Sequence, residues 1–158
     1  MKSILKSIGI FIFALFSLTA CDSGVLYEEN LACEDNVWKY EDIKQFEFDV
    51  TDTLSPVNLF INMRTTTDYP YSNIYMFLYS TYPGDEERKD TLEFKLAETD
   101  GKWLGENSGT VVEFQGMIST GGRFARAGTY IFKLQHGMRE NDLAEIIDVG
   151  FKVELMEQ

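Results

Sequence analysis

The chain has one histidine, two cysteines and three prolines in 158 residues, and its 14 lysines and arginines are outnumbered by 26 aspartates and glutamates. Each scarcity excludes something. One histidine leaves nucleophile–base catalysis poorly supplied. No Gly-x-Ser-x-Gly elbow, phosphate loop, His-Glu-x-x-His or Cys-x-x-Cys pair is present, so zinc is not expected. A net charge of −12 at pH 7 repels nucleic acid and anionic lipid heads. Beyond the N-terminal segment there is no second apolar run long enough to span a membrane.

What is present begins with Lys2 and Lys6, followed by an apolar run from Ile8 to Leu18 broken only by Gly9 and Ser17. The run is too short for a spanning helix of roughly 20 residues and has the length of a signal core. It ends in Leu18-Thr19-Ala20-Cys21, with small residues just before a cysteine, the pattern cut by a lipoprotein peptidase. Residues 1–20 therefore read as a signal peptide. The mature chain begins at Cys21, with diacylglycerol on its sulfur and a further acyl chain on its amine. Each buried methylene contributes about 0.8 kcal/mol, and two chains suffice for stable anchoring. The expected partner is thus a membrane, reached through this lipid; no other cofactor and no metal are expected. With Cys21 so used, Cys33 lacks a disulfide partner and reads as a partly buried, inert thiol. Loss of Lys2 and Lys6 makes the mature chain more acidic still.

Asp22 to Asn36 reads as a polar tether, because Val25, Leu26 and Leu31 show no period. From Trp38 onward the pattern alternates. Phe46, Phe48 and Val50 are interleaved with acids; Val57, Leu59, Ile61 and Met63 follow; Leu92, Phe94 and Leu96, then Tyr130, Phe132 and Leu134, then Val149, Phe151, Val153 and Leu155 repeat the period of two. Ile74 to Tyr79 is continuously apolar, as in a strand covered on both faces. Ser55-Pro56, Asp68-Tyr69-Pro70, Pro83-Gly84-Asp85, Asp100-Gly101 and Gly121-Gly122 separate the runs as turns. Only Asn141 to Ile147 suggests a short helix. The expected fold is all-β, an antiparallel β-sandwich of about seven or eight strands. It occupies residues 38–158, behind a lipidated tether at 21–37.

The acids do not assemble a motif. A glycosidase pair needs two carboxyls held across a cleft, and the acids here fall on turns and outward strand positions. Asp85-Glu86-Glu87 and Asp90 offer oxygen ligands near one loop, but without a calcium-loop pattern they read as a solvated acidic turn. His136 ends an alternating run and reads as a strand-end residue with one nitrogen satisfied. Aromatic turns are the stronger signal. Tyr69 and Tyr71 sit on a proline-stiffened loop, and Trp103 is bracketed by Gly101 and Gly105. Rigid loop aromatics anchor partner proteins or sugar rings. Arg64, Asp68, Tyr69, Tyr71, Asn73 and Trp103 are therefore the candidate interaction residues, unless the rings pack onto the core instead.

The run Arg64 to Phe77, together with Asp90-Thr91-Leu92, Gly101-Lys102-Trp103-Leu104-Gly105, Gly128-Thr129-Tyr130, Met138-Arg139 and Asp148-Val149-Gly150-Phe151, resembles GldH, the gliding-motility lipoprotein family of Bacteroidetes. The ordered set covers nearly the whole chain. The resemblance implies a non-enzymatic outer-membrane lipoprotein acting with envelope proteins of gliding motility, a process tied to type IX secretion. It brings no catalytic or binding residues with it. Cys21-Asp22-Ser23-Gly24-Val25 has no acidic cluster directly after the cysteine, which points to the periplasmic leaflet. A surface glycan-binding module is the rival reading.

Overall fold

The structure is a computed structural model describing residues 24–156; the signal segment and Cys21 lie outside the described residues. Its strands are β1 (Val25–Ala32), β2 (Val37–Lys39), β3 (Lys44–Val50), β4 (Val57–Thr66), β5 (Asn73–Thr81), β6 (Arg88–Lys95), β7 (Glu106–Ser108), β8 (Val111–Gly122), β9 (Gly128–His136), β10 (Asp142–Ala144) and β11 (Ile146–Leu155). Five strands in the order β1-β11-β4-β8-β7 form one sheet, and four in the order β3-β9-β5-β6 form the other; β2 and β10 make a small ribbon. The named strand pairs are antiparallel, as a β-sandwich of short alternating strands requires.

The period of two puts the core where the sequence places it. Ile61 and Met63 of β4 and Val149, Phe151 and Val153 of β11 are buried from one sheet; Phe46, Ile74, Met76, Phe132 and Leu134 are buried from the other. Burying each such side chain contributes about 1.5–3 kcal/mol. The Asp100-Gly101 turn forms as read: Gly101 has φ +87, and Glu98 N–H donates to Lys102 O at 2.8 Å.

Three expectations are corrected. Among the described residues there are eleven strands rather than seven or eight, because short edge and ribbon strands add to the long runs. The segment expected as a tether contains β1, which pairs with β11 and turns Tyr27 and Leu31 onto the core. Glu29 and a register shift between Val25 and Tyr27 interrupt its alternation, which hides the strand in the sequence. Residues 141–147 form no helix. Leu143 and Ile146 have helix-like spacing, but Leu143 pairs with Trp38 in the ribbon, Glu145 turns the chain at φ 68, and Ile146 enters the core.

The run Ile74 to Tyr79 is covered unequally. Ile74, Met76 and Leu78 point into the core, whereas Phe77 and Tyr79 face outward beneath the Lys89 ammonium, which lies 3.7 Å and 5.2 Å from their ring centroids. The stem of a lysine thus replaces a second layer.

Candidate functional site

Pairing register assembles a polar row on the outer face of the five-stranded sheet. Asn30, Gly150, Asn62 and Gln115 lie opposite one another on β1, β11, β4 and β8. Beside that row, Asp148, Arg64 and Glu113 form a second one. Gly150 is the pivot. A Cβ there would lie 1.9 Å from Asn30 Oδ1 and 2.8 Å from the Glu29 carbonyl oxygen. With no side chain on β11 at this point, the Asn62 amide crosses it to donate to Glu28 Oε1 at 3.0 Å, and Gln115 donates to Asn62 Oδ1 at 2.9 Å.

The row floors a groove of about 420 Å³, lined by Glu28, Asn30, Asn62, Arg64, Glu113, Phe114 and Gln115 and walled by Leu104, Gly105 and Glu106. The wall is set tightly: a Cβ on Gly105 would stand 2.3 Å from the Glu113 carbonyl oxygen. Arg64 is the one charged donor of the lining, and its Nε donates to Asp148 Oδ2 at 2.7 Å, so a buried carboxylate holds it in place. Phe114 engages Phe94 edge to face at 5.6 Å instead of offering a free stacking face. The groove therefore presents amides and carboxylates, suited to hydrogen-bonding a polar chain, and its lining residues include no serine, cysteine or histidine.

The candidate residues read from the sequence separate in space. Arg64 lies in the groove. Tyr69 does not form a surface anchor: it is only 4% exposed, joins the core and donates its hydroxyl to Asn73 O at 3.2 Å; burial raises its phenol pKa. Tyr71 is half-buried, meets Tyr69 edge to face at 5.7 Å and donates to a Glu140 carboxylate oxygen. Asn73 Nδ2 donates to Glu93 Oε1 at 2.8 Å, and Asp68 is exposed. Trp103 is half-buried against the core and bridges to Ala97, which leaves Leu104 beside it to wall the groove. The 68–73 and 97–105 turns do share one end of the sandwich, since Leu96 and Ala97 N–H both donate to Ser72 O. Their rings cap the core there and form no exposed aromatic patch.

Sequence reading missed Asn30, Asn62, Gln115 and Gly150. The only available signal was polar residues at outward positions of alternating strands, together with a glycine at the outward position between Val149 and Phe151.

Other titratable groups are structural. Cys33 is buried rather than partly buried, and burial pushes its thiol up to about 11. His136 is fully buried between Trp38 and Tyr40, with ring centroids 5.4 Å and 5.6 Å away. Backbone groups of Asn141 and Trp38 approach the ring without forming well-aligned hydrogen bonds, and burial lowers its pKa. In the acidic turn, Asp85 pairs with Arg126 at 2.9 Å and Glu87 with Lys133 at 2.7 Å. Among the described residues no cluster of three or more His, Cys, Asp or Glu side chains is arranged to hold a metal ion.

A sequence profile described as GldH lipoprotein matches residues 25–153. The chain is 32% identical over 155 residues to the "Gliding motility lipoprotein GldH homolog" of Christiangramia forsetii, covering 94% of each protein. It is 27% identical over 157 residues to "Gliding motility lipoprotein GldH" of Flavobacterium johnsoniae, covering 95% of this chain and 97% of that one. A solved structure of infectious bursal disease virus, Gx strain, overlaps 82% of this chain and 32% of its own at a TM-score of 0.33 and 9% identity, which is too slight to carry an argument.

Proposed function

Because the chain belongs to the GldH family of gliding-motility lipoproteins, we propose that it is a non-enzymatic accessory or assembly component of the gliding and type IX secretion machinery. It is held in the outer membrane by lipid on Cys21, faces the periplasm, and binds an envelope protein. The observation that carries this reading is the groove over Gly150. Its amide row alternates donors and acceptors, which suits the N–H and C=O groups of an extended polypeptide. The one aromatic ring in its lining, that of Phe114, is taken up by Phe94, and this disfavours a sugar stacking there.

Crosslinking and co-purification of the tagged protein from its own envelope tests the reading. Wild type should retain motility or secretion components. Replacing Asn62 and Gln115 together by alanine should leave the circular dichroism spectrum unchanged, since both residues face outward. Each hydrogen-bonding group lost from a desolvated interface costs about 1–3 kcal/mol, so partner binding should weaken roughly tenfold or more. Recovery of glycan-utilisation proteins in place of motility components would overturn the proposal.

A further inference from the structure

The start of β1 fixes which end of the sandwich can meet a membrane. Gly24 O accepts the Leu155 N–H at 2.7 Å, so the chain is already part of the sheet at residue 24. Cys21 is only three peptide units away. Three units span at most about 11 Å, whatever path they take. On the reading that Cys21 is lipidated, this end of the domain cannot stand off from the headgroup layer.

The residues of that end suit the position. Met156 N–H donates to Pro56 O at 2.9 Å, which joins the end of β11 to the 51–56 loop beside Gly24. On these segments Leu54 is 81% exposed, Leu26 54% and Met156 44%. The exposure of Leu54 is built in. Asp52 Oδ1 accepts the N–H groups of Leu54 and Ser55 at 2.8 Å and 3.1 Å, and Arg123 Nε donates to Leu54 O at 2.8 Å. The backbone is pinned on both sides, so the leucine cannot fold back. The adjoining 123–127 loop borders an apolar cavity of about 180 Å³ walled by Val57, Tyr82, Phe124 and Tyr130. Tyr40 and Ile43 at the opposite end are 42% and 44% exposed, so exposure alone does not select an end; the position of Gly24 does.

We infer that the sandwich sits end-on against the lipid bilayer, with Leu54, Leu26 and Met156 entering the headgroup–acyl boundary and the ribbon of β2 and β10 pointing away. This inference rests on the anchoring reading above. The inserted side chains are apolar. Of the acids beside them, Asp52 is exposed and turned onto the N–H groups of its own loop, Glu86 is exposed, and Asp85 and Glu87 are paired to Arg126 and Lys133, so the chain's acid excess gives no attraction to anionic lipid. Zwitterionic lipid is therefore sufficient.

The test uses the full chain, processed by a bacterial host and reconstituted into phosphatidylcholine–phosphatidylethanolamine vesicles, with mass spectrometry reporting lipid on Cys21. Leu54→Cys and, at the far end, Glu41→Cys are labelled in separate samples with an environment-sensitive fluorophore; buried Cys33 stays unlabelled under native conditions. Emission from position 54 should shift to the blue and be quenched by a spin label in the upper acyl region. Emission from position 41 should remain that of water. Independently of any label, amide hydrogen exchange in the 51–56 loop should be slower on vesicles than in soluble protein beginning at Asp22. Aqueous emission at 54 and unchanged exchange in lipidated protein would overturn the end-on contact while leaving the anchor intact. An unmodified Cys21 would remove the anchor and this inference together.

Discussion

Phe151 stands in a group of rings, 4.5 Å from Phe132, 5.9 Å from Phe46 and 6.4 Å from Phe48 by centroid, and is fully buried. It joins the two sheets. Phe151→Ala should therefore destabilise the domain by about 3–5 kcal/mol, read from the urea midpoint; a loss below about 1 kcal/mol would place it outside the core. His136 gives a different test. Its pKa is lowered in the folded protein, so the unfolded chain takes up a proton first, near pH 6.5. Above that pH both states are neutral and no penalty arises. As pH falls below it, stability drops by up to about 1.4 kcal/mol per unit until the folded-state value is reached. Comparing urea midpoints at about pH 7.5 and 5.5, wild type should lose more stability than His136→Gln; equal losses would show that the buried ring carries no such linkage.

At the scale of the element, β1 is the strand that sequence reading took for a tether. It covers one edge of β11 and brings Tyr27 onto Phe48, with ring centroids 4.7 Å apart. Tyr27 and Leu31 pack, partly buried, against the core from this strand, so each contributes less than the roughly 1.5–3 kcal/mol of a fully buried side chain. Added to the β1–β11 ladder that pairs Tyr27 to Ala32 with Val153 to Asp148, this is still a sizeable share of the roughly 5–15 kcal/mol typical of a whole domain. A chain beginning at Trp38 should consequently lose cooperative thermal unfolding, whereas one beginning at Gly24 should melt cooperatively with a β-rich far-UV spectrum. If the shorter chain melted within a few degrees of the longer one, β1 would be dispensable.

For the whole molecule, the short distance between Gly24 and the proposed anchor at Cys21 matters more than any single contact. Cys21→Ala should carry no lipid and keep residues 1–20, because the peptidase cuts only before the lipidated cysteine, whereas a chain beginning at Asp22 should fold and leave the membrane fraction, since β1 begins only at Val25. Mass spectrometry of the wild-type N-terminus should find Cys21 acylated; a mature chain starting elsewhere and bearing no lipid would refute the anchor. The groove faces outward from the five-stranded sheet, so an end-on domain would leave it open to a partner along the flank.

Local regularities were enough for the sequence to specify the all-β class, the antiparallel sandwich, the main strands, the Asp100-Gly101 turn and the family. A period of two and a turn dipeptide act over a few residues, and so would the expected lipoprotein signal, which lies outside the described residues. Tertiary structure decided everything that depends on which strands pair. It made β1 from an irregular polar segment, because β11 was there to receive it. It turned the helix-like spacing of Leu143 and Ile146 into two strands. It took Tyr69 into the core and left Arg64 beside a groove with Asn62 and Gln115. The row Asn30–Gly150–Asn62–Gln115 joins four strands from distant parts of the chain, and its register is set by sheet hydrogen bonds and core packing, which no local pattern encodes.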